Sequence, residues 1–223
     1  MKNKALRWMG MALGIWLVGG CGGGSGGGGL SNKDPGANDL NVVVAFGDSL
    51  TQANMSACPS YPDRLAGLIA KTVVNTGVGG TIAQFNVDRA QTAIDRFHPA
   101  FMLILYGVGD VIHGFGTSSI LDALRQMVSI CRTNHVVPAL ATYPIPFGDH
   151  GAFAGGTRAL NRGIRALASE LSVPCVDLAV EFEGTTDPVT ETSDTDPALM
   201  VADGLHPNDA GTQIMALAFA DLF

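Results

Sequence analysis

Asn41-Val42-Val43-Val44-Ala45-Phe46-Gly47-Asp48-Ser49-Leu50 is an apolar, valine-rich run that stops abruptly at a glycine, an acid and a serine. A short, near-continuous apolar segment closed by such a turn suits a strand buried on both faces. Runs of the same kind recur at Thr72–Asn75, Phe101–Tyr106, Val136–Thr142 and Pro174–Asp177. Between them the apolar spacing predicts helices over Tyr61–Lys71, Ala83–Phe97, Ile120–Asn134 and Thr157–Leu171, with a last one over Pro207–Leu222. Asn208 or Asp209 can cap that final helix, with Pro207 near its first turn. Alternating strands and helices imply right-handed crossovers. The expected fold is therefore α/β: a three-layer α/β/α sandwich on a mostly parallel five-stranded sheet, flavodoxin-like, over residues 40–223.

Sheets of this kind bind ligands beyond the carboxyl ends of their strands. Ser49 follows the first predicted strand, Gly77-Val78-Gly79-Gly80 the second, Gly107-Val108-Gly109-Asp110 the third and Thr142 to Phe147 the fourth. Far downstream, Asp203-Gly204-Leu205-His206-Pro207 places an acid and an imidazole three residues apart. A serine hydroxyl attacks well only when a neutral histidine takes its proton, and that histidine needs a carboxylate to fix its tautomer. Ser49, His206 and Asp203 can supply nucleophile, base and orienter. The polar segment from Asp187 to Asp203, with Pro188 and Pro197, reads as a long loop leading the acid and the base to the same rim.

The chain has 223 residues, enough for one domain with a real core. Its 47% hydrophobic and 15% charged residues exclude a disordered chain. The net charge of −7 becomes −10 without the first twenty residues, which argues against nucleic acid as a partner. Those residues read as a targeting segment: Lys2, Lys4 and Arg7 precede an apolar stretch, Trp8 to Val18, too short for a comfortable membrane span. The stretch ends in Val18-Gly19-Gly20-Cys21, and Gly22 to Gly29 is a glycine-rich tether. Cys58, Cys131 and Cys175 remain; an exported chain could pair two of them, although Cys131 and Cys175 fall in apolar patterns that suit buried thiols. No Cys-x-x-Cys or Cys/His cluster has metal spacing, so neither a metal nor another cofactor is expected.

From Leu40 onward the sequence resembles the SGNH (GDSL) family of esterases and lipases. The blocks that carry the resemblance are Phe46-Gly47-Asp48-Ser49-Leu50-Thr51, Asn75-Thr76-Gly77-Val78-Gly79-Gly80 and Asp203-Gly204-Leu205-His206-Pro207-Asn208. It implies acyl transfer to water through an acyl-enzyme on Ser49, with His206 as base, Asp203 as its orienter, and the N–H groups of Ser49 and Gly80 holding the oxyanion. The remaining family block, Gly-x-Asn-Asp, departs here, because Gly109 stands where an asparagine would donate to the oxyanion. Three readings stay open at this position: another donor or a water fills the place, the enzyme is slow, or the protein binds without catalysing. The implied substrates are short acyl esters or lysophospholipids, with acetylated polysaccharide as the alternative, and the chain is expected to act as a monomer. Val18 to Cys21 similarly resembles a bacterial lipobox. That implies residues 1–20 as a signal peptide, a lipidated Cys21 heading a tether to residue 39, and an outer-membrane anchor facing the periplasm.

Several neighbours have plainer expectations. Asp48 should shape the nucleophile turn, and Asn75 should tie the second loop to the first. His113 reads as a lone exposed histidine beside the pocket; His98, His135 and His150 show no partner spacing and read as surface residues. Tyr143 to Phe147 could wall the pocket or, with its prolines, only redirect the chain after the strand, and Met55 to Tyr61 should form part of the pocket rim.

Overall fold

The computed structural model describes residues 29–53, 57–183 and 194–223. Cys21, the signal-like segment, Met55 and residues 184–193 of the long loop lie outside the described residues. Five parallel strands form one sheet in the order β2-β1-β3-β4-β5, with β1 at Asp39–Gly47, β2 at Thr72–Asn75, β3 at Pro99–Leu105, β4 at Val137–Ala141 and β5 at Cys175–Val176. The predicted fold class is the one observed. Val43 to Phe46 and Ala100 to Leu105 are buried on both sheet faces, which is why their runs are apolar at every position and show no alternation.

The helices are α1 (Ser49–Gln52), α2 (Tyr61–Ile69), α3 (Val87–Phe97), α4 (Val108–Ile112), α5 (Thr117–Thr133), α6 (Ala154–Leu171), α7 (Leu178–Glu181) and α8 (Asp209–Ala220). Tyr61 stacks on Phe219, with ring centroids 4.8 Å apart, and joins α2 to α8. Tyr61 is therefore core and not pocket rim. The strand order reverses direction between β1 and β3, and that switch point is where such sheets open a crevice.

Two sequence expectations need correction. The single helix predicted over Ala83–Phe97 is broken: a 3₁₀ turn covers Ala83–Phe85 and α3 begins at Val87. Asn86 donates its side-chain amide to Ile82 O, and the buried Asp110 carboxylate accepts Ala83 N–H at 2.8 Å, so both polar groups pull the backbone from the helical path. Cys131 is fully buried, as its apolar pattern suggests, and that burial pushes its pKa up to about 12. Finally, residues 30–38, counted with the tether, are bound to the domain. Asn32 donates to Ala100 O and His135 O, Asn38 donates to Asn134 O, and Leu30 N–H pairs with Leu222 O. His135, read as a surface residue, is exposed and meets Asp34 at 3.1 Å.

Candidate active site

Ser49 is the first residue of α1, delivered by β1. Asp48 caps that helix, its Oδ1 accepting Leu50 N–H at 3.0 Å, and its Oδ2 accepts the Tyr143 hydroxyl at 2.7 Å. Asp48 is buried, and desolvation pushes its pKa up to about 7, against the lowering effect of those bonds. The tyrosine is held in turn by Asn161 of α6, whose side chain bonds both Tyr143 N–H and Tyr143 O. Tyr143 to Pro146 are thus buried bracing behind the nucleophile turn, which corrects the pocket-wall alternative for this stretch.

The second glycine-rich loop follows β2 and is stitched to the first. Asn75 donates to Thr51 O at 2.9 Å and accepts Gly77 N–H, as expected of a tie between the loops. Gly79 N–H goes to Gln52 Oε1 at 2.7 Å, and Gly80 follows with φ +73°, a left-handed conformation suited to glycine.

The third element is a tight loop between the 3₁₀ turn at Pro197–Leu199 and α8. Val201 N–H bonds His206 O, Asn208 N–H bonds Leu199 O, and Asn208 caps α8 by accepting Gly211 N–H. Gly204 has φ +70°, and a Cβ there would lie 2.2 Å from Phe147 O, so only glycine lets the chain fold back here. Folding back puts Asp203 Oδ1 on the N–H groups of Leu205 and His206, at 2.9 and 3.0 Å. Asp203 Oδ2 meets His206 Nδ1 at 2.6 Å, and His206 Nε2 meets Ser49 Oγ at 2.9 Å across 157 residues of sequence. A carboxylate only accepts, so Nδ1 carries the proton and Nε2 presents its lone pair to the serine hydroxyl. Burial works to raise the Asp203 pKa, but the His206 imidazole and the two backbone donors outweigh it, and the carboxyl lies below its usual range.

Around this hydrogen-bonded chain lies a cavity of about 490 Å³. Ser49, Gln52, Gly80, Gly109, His113 and His206 face it, with Val78, Val108, Ile112 and Leu205 as apolar wall. Among the described residues no acceptor takes the N–H of Ser49 or of Gly80. Gly109 adds no side-chain donor, and a Cβ placed on it would lie 2.9 Å from Thr81 O, so the second loop already fills that side.

Two histidines depart from their plain readings. His113 is exposed but lines the cavity, and its Nδ1 donates to Gly109 O at 2.7 Å. His150 is half-buried and its Nδ1 donates to Asp203 O at 2.8 Å, bracing the acid loop from behind. No local spacing signals the His150 contact, because its partner lies 53 residues away. Gln52 was missed for the same reason. Its one sequence signal is its place one helical turn after the serine, on the face that looks back toward it.

Thioesterase 1/protease 1/lysophospholipase L1 of Escherichia coli is 26% identical over 175 residues, covering 75% of this chain and 76% of that protein. A lipolytic protein of the G-D-S-L family from Desulfitobacterium hafniense superposes with a TM-score of 0.69 at 22% identity, covering 82% of this chain and 99% of that one. An acetylxylan esterase from Geobacillus stearothermophilus superposes with a TM-score of 0.65 at 20% identity, covering 82% and 93%. Residues 45–214, which run from the middle of β1 into α8 and include Ser49, Asp203 and His206, match the GDSL-like Lipase/Acylhydrolase family, and the chain belongs to it.

Proposed function

We propose that this protein is a serine esterase that hydrolyses short acyl esters through an acyl-enzyme on Ser49. One observation carries the reading: His206 Nε2 is 2.9 Å from Ser49 Oγ while its Nδ1 is 2.6 Å from Asp203. His206 takes the hydroxyl proton as Ser49 Oγ bonds to the ester carbonyl carbon, and the carbonyl oxygen becomes an oxyanion beside the N–H groups of Ser49 and Gly80. His206 then protonates the departing alcohol, and water repeats the sequence to release the acid. Asp203 keeps the imidazole in the accepting tautomer and stabilises the imidazolium. No step calls for a metal or another cofactor.

The cavity volume of about 490 Å³ and its small apolar wall favour a short acyl group over a long chain. A glycan O-acetylesterase is the second reading, and a specific observation favours it. The chain that passes the cavity at Thr81 continues to Phe85, which is 76% exposed and borders a second recess with Gln84, Asp88 and Ser119. An exposed aromatic ring among polar side chains suits a sugar face. We also propose lipid anchoring at Cys21 in a bacterial envelope, from Lys2, Lys4, Arg7 and the Val18-Gly19-Gly20-Cys21 run. Leu30 joins the domain beside the C-terminus, where Phe223 packs on Phe101 in the first half of β3, so the tether would leave from the end opposite the cleft. That arrangement favours substrates away from the anchoring bilayer.

The experiment is hydrolysis of p-nitrophenyl esters from acetyl to palmitoyl, run beside an acetylated xylan, with Ser49→Ala as control. The expected result is cleavage of the short esters and loss of cleavage in folded Ser49→Ala, on the order of 10⁶-fold by analogy with another triad enzyme. Full activity in that variant would sink the proposal.

A further inference from the structure

Among the described residues that line the cavity, one side-chain amide has a fixed orientation and a donor end that no protein acceptor takes. A backbone N–H can only donate, so the 2.7 Å contact between Gly79 N–H and Gln52 must engage the amide oxygen. That assigns Oε1 to Gly79 and leaves Nε2 as the other end of the planar group. Nε2 has no protein acceptor among the described residues, and Gln52 lines the cavity together with Ser49, Gly79 and Gly80. Gln52 ends α1, three residues after Ser49, on the side of the helix that leans back over the serine.

An oxyanion that forms when Ser49 attacks needs donors already aimed at it, because donors that must reorganise stabilise it little. Two backbone donors stand ready, at Ser49 and Gly80. Across the cleft Gly109 offers no side chain, and the 2.9 Å approach a Cβ would make to Thr81 O leaves no room for one without moving the loop. Among the described residues that line the cavity, the side-chain amide donor tied to this loop and taken by no protein acceptor is Gln52 Nε2.

We propose, resting on the esterase reading above, that Gln52 is a catalytic residue whose Nε2–H is the third oxyanion donor. As Ser49 Oγ bonds to the carbonyl carbon, the carbonyl π pair moves onto oxygen and the serine proton moves to His206 Nε2. The new charge is shared by Ser49 N–H, Gly80 N–H and Gln52 Nε2–H. Oε1 keeps its bond to Gly79 throughout, so the same side chain holds the loop and meets the charge.

Gln52→Glu separates the two jobs, since a carboxylate still accepts Gly79 N–H but no longer donates. Gln52→Met removes both functions without adding charge. Each is compared with wild type for p-nitrophenyl acetate hydrolysis and for affinity to an alkyl boronic acid that forms a tetrahedral adduct on serine, with thermal melts confirming the fold. The expected result is a fall in kcat of about 10²-fold or more in both variants, with KM within a few fold and the boronate affinity falling in step with kcat. Wild-type kcat in Gln52→Glu, whatever Gln52→Met does, overturns the donor role, and so does a loss confined to KM. Fluorophosphonate labelling of Ser49 in the wild type keeps the two questions apart: no adduct there defeats the esterase reading itself, whereas an adduct with undiminished Gln52→Glu defeats only this proposal.

Discussion

On the Asp203–His206 side of the cleft the hydrogen bonds are already made, whereas on the Ser49–Gly80 side the donors wait. Asp203 accepts three bonds, both ring nitrogens of His206 are engaged, and His150 braces the loop from behind. Opposite, the N–H groups of Ser49 and Gly80 have no protein acceptor among the described residues, and Gly109 contributes no side chain. On the esterase mechanism proposed above, the difference follows from what each side must do. A base has to be in its correct tautomer before substrate arrives, so its partners are permanent. An oxyanion exists only in the reaction, so its donors must be held in place without being satisfied. The burial of Asp48 and its bond to Tyr143 supply that rigidity from beneath the serine.

The comparison can be broken first on the preset side. Asp203→Asn would place an amide N–H against His206 Nδ1, push the imidazole proton to Nε2, and remove the lone pair that faces Ser49. The expected loss in kcat is about 10⁴-fold with the fold intact, as in another serine triad. A loss under tenfold would mean that Asp203 does not set the tautomer.

The next test concerns the support shared by both sides. The Asp48 pKa is raised from 3.8 to about 7, so the folded state holds a proton that the unfolded state releases. Stability should therefore fall as pH rises through that window, by on the order of 4 kcal/mol, and level off above it. Asp48→Asn should flatten this slope, leaving the opposite and smaller acid-side loss from Asp203, whose lowered pKa gives stability that disappears as pH drops below the carboxylate range. Urea midpoints at successive pH values from 3 to 8 measure it. Parallel curves for the two proteins would show that Asp48 is not the group responsible.

The smallest expected effect lies on the waiting side. Gly109→Asn would force a Cβ to within 2.9 Å of Thr81 O, so the loop must give way. Overpacking of this kind costs about 1–3 kcal/mol of stability, and kcat should not rise. A gain in kcat would show that a missing amide limits the rate more than loop geometry does.

The parts legible in the sequence were those whose physics is local. The central strands β1, β3 and β4 were readable because a strand segment buried on both faces is apolar at every position. The meeting of Ser49, Asp203 and His206 was readable because the serine ends a strand and the other two share one turn. The role of Tyr143 is open in the sequence because the partner of its hydroxyl lies 95 residues away, at Asp48, and a proline-flanked tyrosine after a strand looks the same whether it faces a pocket or the core. The break in the helix predicted over Ala83–Phe97 was hidden likewise, since Asp110, which takes Ala83 N–H, lies 27 residues downstream.

By itself, then, the sequence determined the layered α/β architecture, the rim on which the chemistry gathers, and the serine, histidine and aspartate brought to it. Hydrophobic periodicity and short-range spacing encode all of these directly. Only the tertiary structure decided that the Thr81 backbone closes on Gly109, that His150 and Tyr143 brace the two ends of the site, and that the Gln52 amide is pinned with its donor end taken by no protein acceptor among the described residues. Those outcomes depend on where separate loops meet in space, and a residue's neighbours along the chain do not record its neighbours across a sheet.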